Sequence, residues 1–261
     1  MSLADAVAGL KLRSGVLEAG HVWLVGAGPG DLGYLTLDAL SALDQADALV
    51  HDALVQPEVV AIAAKAEIFF VGKRGGRLSI PQREINDLLV RLAREGRKVV
   101  RLKGGHPYVF ARGGEEAEAL AQHGIAYRVV PGVTSAFGGL ASAGIPVTMR
   151  GTNGAVILAT GFAADSDDRP NWASLARTGQ PIVIYMGLTH MATTVTELMA
   201  GGLSAFTPAA LIENATLPQE RTVVATLGTL HDAMQRENIV SPALIVIGGI
   251  VALRGRLRGG G

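Results

Sequence analysis

Asp52 in VHDALV, Lys73 in VGKRGG and His106 in KGGHPYVFARGGEE stand just past short β-branched runs. That puts each at the carboxyl end of an expected strand, the edge on which open α/β sheets bind ligands. A carboxylate and an ammonium on such an edge are suited to taking up and giving back protons. The same two residues also suit plainer duties, Asp52 as the cap of the following turn and Lys73 as a solvated surface charge. A neutral imidazole at His106 offers a single acceptor, and a protonated one repels a cationic ligand. No other histidine or acid stands near His106 at ligand spacing, so no metal site is expected there or elsewhere.

The glycines around these residues raise a second possibility. VWLVGAGPGD places Gly26, Gly28 and Gly30 after a strand, with Asp47 and Asp52 about 20 residues on, as in a dinucleotide fingerprint. The spacing fails at Asp31, where the fingerprint needs glycine and where a carboxylate opposes bound phosphate. The next helical pattern starts only near Thr36, so no helix N-terminus faces the loop. A nicotinamide-dependent oxidoreductase is therefore a distant alternative.

These loops need elements to hold them. Ten β-branched runs alternate with helical patterns: HVWLVGAG, ADALVHDAL, AEIFFVGK, KVVRLKGG, AYRVVPG, AVILATG, PIVIYMG, PAALIEN, RTVVATLG and PALIVIGG. The alternation predicts an α/β fold, and runs without polar alternation predict sheets covered on both faces. Ile85, Leu88, Leu89 and Leu92 form one apolar stripe of a helix, with Ser79 and Gln82 spaced as a capping box and Gly96 at its C′ position. PGVTSAFGGLASAGIPVT is so rich in small residues that it suits close packing or ligand contact better than an independent helix. The expected organisation is a loose extension over 1–19, one α/β lobe over 20–140, a second over 141–255 and a frayed tail over 256–261.

Composition narrows the function classes. Lys plus Arg number 23 and Asp plus Glu 23, so the chain has no overall basic field for nucleic acid or a membrane surface. Cysteine is absent, which excludes disulfides and thiolate chemistry and suits a reducing cytoplasm. No apolar run approaches the roughly 18 residues of a membrane span, and the first twenty residues lack the basic start and apolar core of a signal peptide.

Taken in order, GAGPGD, VHDALV, VGKRGG, LKGGHPYVFARGGEE, PGVTSAFGGLASAGIPVT and IENAT resemble the SAM-dependent tetrapyrrole methylase family over about residues 20 to 255. The resemblance implies two α/β lobes with S-adenosyl-L-methionine in the cleft between them, in a homodimer. It implies that Pro29, Gly104, Gly105, His106, Val109, Thr134, Ser135, Met186 and Ala215 line the SAM site. Gly104 and Gly105 also suit turns, Thr134 a helix cap and Met186 a core position. The separations point to the member that methylates uroporphyrinogen III at carbons 2 and 7, giving precorrin-2 through precorrin-1 and releasing S-adenosylhomocysteine. Neighbouring alternatives are a methyltransferase for a later precorrin and a binding protein impaired in catalysis by His106. No dehydrogenase or chelatase domain of the kind fused in sirohaem synthases is expected.

By family correspondence Asp52 is the proton acceptor and Lys73 the proton donor. Arg74, Arg77, Arg112 and Arg150 are candidates for the substrate carboxylates, because arginine pairs bidentately with carboxylate; Arg101 is a weaker one, expected at a strand end. His106 stands where the family has Asp, and Tyr108 and Ala111 where it commonly has Phe and Gly.

Overall fold

A computed structural model describes residues 15–72, 80–162 and 169–258, which divide into two compact units, Met1–Thr134 and Ser135–Gly261. All ten expected strands form. In the first unit β1 (Val22–Gly26), β2 (Ala48–His51), β3 (Glu67–Phe70), β4 (Val99–Lys103) and β5 (Tyr127–Val130) make one sheet in the order β3-β2-β4-β1-β5. Every pairing in it is parallel, so all five carboxyl ends share one edge.

The connecting helices are α1 (Leu37–Gln45), α2 (Pro57–Val60), α3 (Gln82–Arg94) and α4 (Gly113–Gln122). Alternation along the strands divides the core between two faces. Trp23, Val25, Leu49, Val100 and Leu102 pack with Ala39 and Leu43 of α1 on one face. Val22, Leu24, Val50 and Val99 pack with Ile85, Leu89 and Leu92 of α3 and Leu120 of α4 on the other. The stripe read from the sequence is therefore the buried face of α3, and Gly96 lies just past its end at φ +77. Pro81 occupies the N-cap without a side-chain hydrogen bond, and Ser79 of the expected capping box lies outside the described residues.

The second unit contains α5 (Ser135–Ser142), β6 (Ile157–Thr160), α6 (Trp172–Arg177), β7 (Ile182–Tyr185), α7 (Met191–Ala200), β8 (Pro208–Glu213), β9 (Arg221–Thr226), α8 (Leu230–Arg236), β10 (Ala243–Ile247) and α9 (Ile250–Arg258). Its sheet, ordered β6-β7-β10-β8-β9, is mixed: β6 pairs parallel with β7, while β10 runs antiparallel to both β7 and β8. The carboxyl ends of β6, β7 and β8 thus also share one edge.

Four features differ from the sequence reading. The small-residue segment does form a helix, α5, with Ala136, Gly138, Gly139 and Leu140 buried; its small side chains let neighbouring elements come close rather than preventing the helix. A division at 140 would cut that helix, whereas the units part between Thr134 and Ser135. The extension is anchored before residue 20, since Leu17 is fully buried and its N–H donates to Gln45 Oε1 at 3.0 Å. At the other end α9 continues through Arg258, held by buried Ile250, Val251 and Leu253. Residues 1–14 and 259–261 lie outside the described residues.

Candidate active site

On the carboxyl edge of the first sheet, the loops after β1, β4 and β5 are packed backbone against backbone. Gly28 and Gly105 form an antiparallel bridge, with Gly105 N–H donating to Gly28 O at 2.7 Å and Gly28 N–H to Gly105 O at 3.2 Å. A Cβ on Gly26 would lie 2.6 Å from both the Gly105 oxygen and the Gly132 nitrogen. The bare backbone of KGGHP therefore has a structural reason of its own. Gly105 takes φ +69, which favours glycine, and Gly104 lies where a Cβ would meet Leu54 Cβ at 2.9 Å.

That last contact brings the loop after β2 into the group. Asp52 accepts the Leu54 N–H on Oδ1 at 3.1 Å, the turn-capping duty that its sequence also allowed. Its other oxygen, Oδ2, stands 3.8 Å from Arg101 Nη2, and the side chain keeps 27% of its surface exposed. Asp52 is thus fixed by one oxygen and left accessible. Gly72, at the carboxyl end of β3, abuts the backbone nitrogen of Ala53 so closely that a Cβ has no room. Lys73, Arg74 and Arg77 follow Gly72 and lie outside the described residues.

His106 opens a tight turn. Its carbonyl accepts the Val109 N–H at 3.1 Å, and its ring Nδ1 accepts the Tyr108 N–H at 3.0 Å. Accepting at Nδ1 requires a lone pair there, so the neutral ring carries its proton on Nε2. Burial lowers the imidazole pKa below its ordinary value, in keeping with that form. The left-handed residues of this loop are Phe110 (φ 50) and Arg112 (φ 59), and Ala111 lies between them. Arg112 donates two hydrogen bonds to Glu115, Nε to Oε1 at 2.8 Å and Nη2 to Oε2 at 2.6 Å. Pro29 is half-buried beside the Gly28–Gly105 bridge, and Thr134 is buried at the end of the β5 loop.

The second unit gathers its own candidates at the shared carboxyl edge of β7 and β8. Met186 is 49% exposed, not a core residue, and adopts φ 52. Ala215 sits between Asn214 (φ 49) and Thr216 (φ 68). Left-handed residues other than glycine cost free energy and cluster at ligand sites. Ser135 begins α5, whose Ala136 N–H donates to Tyr185 Oη at 3.2 Å. A Cβ on Gly139 of the same helix would lie 2.8 Å from Ala215 Cβ. Ser135, Met186 and Ala215 are therefore tied together within this unit, while Arg150 is exposed in a turn.

Arg101 is not at a strand end. It lies in the middle of β4, 3% exposed, and donates from Nε to Glu116 Oε1 at 3.0 Å. Lys103 Nζ donates to the same oxygen at 2.8 Å. The signal was present in KVVRLK: two cations two residues apart on a strand share a face, and buried charge requires a counterion. Among the described residues no group of three or more His, Asp or Glu side chains is placed to hold a metal ion, and no helix is long and apolar enough to cross a membrane.

Known proteins are similar to this chain. The sequence profile of the tetrapyrrole (corrin/porphyrin) methylases matches residues 21–231. A uroporphyrinogen-III C-methyltransferase of Sinorhizobium sp is 46% identical over 256 residues, 97% of this chain and 90% of that protein. A siroheme synthase of Nitrosococcus oceani is 48% identical over 239 residues, 91% of this chain and 51% of that protein; the chain spans about half the length of that relative. The crystal structure of uroporphyrin-III C-methyl transferase from Thermus thermophilus complexed with S-adenyl homocysteine is similar with a TM-score of 0.77 and 38% identity, covering 89% of this chain and 99% of that one.

Proposed function

Since the chain belongs to the tetrapyrrole (corrin/porphyrin) methylases, we propose that it transfers two methyl groups from S-adenosyl-L-methionine to carbons 2 and 7 of uroporphyrinogen III. The products are precorrin-2, formed through precorrin-1, and S-adenosylhomocysteine. The observation that carries this reading is the 46% identity to a uroporphyrinogen-III C-methyltransferase across 97% of the chain. The reading extends to a homodimer in the cytoplasm, and the absence of cysteine suits that compartment.

The residues fit the methyl donor. GAGPGD and GGHPYV contain no lysine or arginine, and their backbone amides and carbonyls suit a cationic ligand with polar ends better than a phosphate. When bound, S-adenosyl-L-methionine supplies an electrophilic sulfonium methyl. The residues that would hold it, by the family correspondence, are Pro29, Gly104, Gly105, His106, Val109 and Thr134 in the first unit, and Ser135, Met186 and Ala215 in the second. The nucleophile is a pyrrole carbon of the substrate, so much of the catalysis is positioning. Asp52 accepts the proton that the macrocycle loses as its conjugation changes, and Lys73 is the proton donor. Arg74, Arg77, Arg112 and Arg150 anchor substrate carboxylates. For Arg112 that means exchanging, or sharing, its present bond with Glu115.

Anaerobic incubation with uroporphyrinogen III and S-adenosyl-L-methionine, followed by product mass, tests the assignment. A gain of two methyl groups is expected. Methylation of a later precorrin with none on uroporphyrinogen III would move the chain to another member of the family.

His106 is expected to support binding rather than oppose it, because the ring is neutral and its Nδ1 organises the turn. His106→Ala removes a hydrogen bond worth about 1 kcal/mol, roughly fivefold in the Kd for S-adenosylhomocysteine. His106→Asn keeps an acceptor and should retain native affinity. Because the folded pKa is lowered, the neutral form persists through the ordinary imidazole value of about 6.5. Affinity should fall only at lower pH, as a proton on Nδ1 removes the acceptor and adds positive charge. Titration calorimetry across that range checks both points, and Asn and Ala variants of equal affinity would refute the turn's role.

A further inference from the structure

We propose that Glu116 is a positioning residue for the methyl transfer, holding Arg101 in the orientation from which its guanidinium pairs with Asp52 Oδ2, the oxygen that the Leu54 N–H does not hold. The inference rests on Asp52 being the proton acceptor and extends that reading to a carboxylate that never reaches the substrate.

The geometry is a chain of contacts inside the first unit. Val99, Arg101 and Lys103 alternate onto the face of β4 that meets α3 and α4, where Val99 packs into the core. Glu116, on α4, is fully buried on that face. Its Oε1 accepts from Arg101 Nε at 3.0 Å, Lys103 Nζ at 2.8 Å and Gln82 Nε2 at 3.2 Å. Among the described residues its Oε2 has no hydrogen-bond partner. Held at Nε, the guanidinium points its far nitrogens under the end of β2. Nη1 reaches the Val50 and Leu102 carbonyls at 3.4 and 3.3 Å, and Nη2 stands 3.8 Å from Asp52 Oδ2.

Charge balance makes the group one unit. Arg101 and Lys103 are two buried cations with one buried carboxylate between them, and Asp52 at the accessible edge supplies the second negative charge. Burial lowers the Lys103 pKa most, Arg101 lowers it further, and Glu116 and Asp52 work against both. Fold stability alone is a weak reason for such a cluster, since buried ion groups are often replaceable by apolar side chains at no loss. Its end point, a partly exposed carboxylate on the ligand-binding edge, gives it a use.

The test measures steady-state methyl transfer, the Kd for S-adenosylhomocysteine and thermal unfolding for Glu116→Gln, Asp52→Asn and the double variant. Glu116→Gln is expected to lower kcat on the order of 10- to 100-fold, the scale of a misplaced catalytic group. KM for the tetrapyrrole and the Kd should stay near native. The double variant should be no slower than Asp52→Asn alone, because Glu116 acts only through Asp52. Multiplied losses in the double variant, or a native kcat in Glu116→Gln, would overturn the proposal. A fully active Asp52→Asn would instead overturn the proton-acceptor reading beneath it. Should Glu116→Gln fail to fold with two unbalanced cations, Lys103→Met/Glu116→Leu leaves only the Arg101 and Asp52 charges and removes the acceptor that holds Arg101 Nε. It frees Arg101 from its anchor, so the same drop in kcat at native KM is expected and a native kcat refutes the role.

Discussion

Asp52→Asn is expected to lower kcat by about 10²- to 10⁴-fold, the usual contribution of a positioned proton-transfer group, or about 3 to 5 kcal/mol of activation free energy. The substitution is close to isosteric. The amide oxygen can still accept the Leu54 N–H that Oδ1 now accepts at 3.1 Å, so the turn after β2 should persist. What disappears is the ability to take a proton and the negative charge 3.8 Å from Arg101 Nη2. The Kd for S-adenosylhomocysteine should hardly change, because none of its proposed contacts is Asp52 or another residue of the loop after β2. The measurement is a single-turnover rate of methyl transfer beside calorimetric binding. A slow variant with native binding places Asp52 in the chemistry, whereas an undiminished rate confines it to capping its turn.

The strands were legible because each is a short β-branched run closed by a turn residue, and a local signal of that kind survives folding. Their pairing was less so. IVIY of β7 and ALIVI of β10 have the same apolar texture, yet β10 runs antiparallel between β7 and β8 while β6 and β7 run parallel. Direction is set by how connections cross the sheet, which no window of residues contains. The small-residue segment went the other way. Its glycines argued against a helix by intrinsic propensity, but buried Ala136, Gly138, Gly139 and Leu140 let α5 lie close to its neighbours, and packing outweighed propensity.

The site was half legible. Motifs named the residues on the carboxyl edges, and Asp52, Gly104, Gly105 and His106 do lie together on one of them. What the sequence hid was the layer below. Arg101 looked like a surface cation at a strand end because neither Glu116 nor Asp52 is near it in the chain, and only the β2–β4 pairing and the seat of α4 bring them within reach. The role of His106 was hidden for a different reason. Its type suggested a lost charge, while its hydrogen bond to Tyr108 N–H shows a retained acceptor.

Gly132→Ala is expected to be among the most damaging single methyl groups that the described residues of the first unit can receive. A Cβ there would overlap the Gly105 carbonyl oxygen and lie 2.8 Å from Gly26 C and Cα, all of them backbone atoms on neighbouring strand ends. Side chains can rotate away from an added methyl, but these atoms move only if β1, β4 and β5 part at the edge where their loops meet. Overpacking of buried sites costs about 1 to 3 kcal/mol and occasionally more, and this position belongs at the upper end. At roughly 2 to 4 °C per kcal/mol for a chain of this size, Tm should fall by about 10 °C. The same parting breaks the Gly28–Gly105 bridge, so S-adenosylhomocysteine binding should be lost with it. Gly255→Ala is the matched control: it lies within α9 and an added Cβ there meets nothing within 4 Å. It should stabilise by about 0.5 to 1 kcal/mol through helix propensity. Thermal unfolding of both variants decides the matter, since equal Tm values would mean that the strand ends can separate at little cost and that the bare backbone of KGGHP serves the ligand alone.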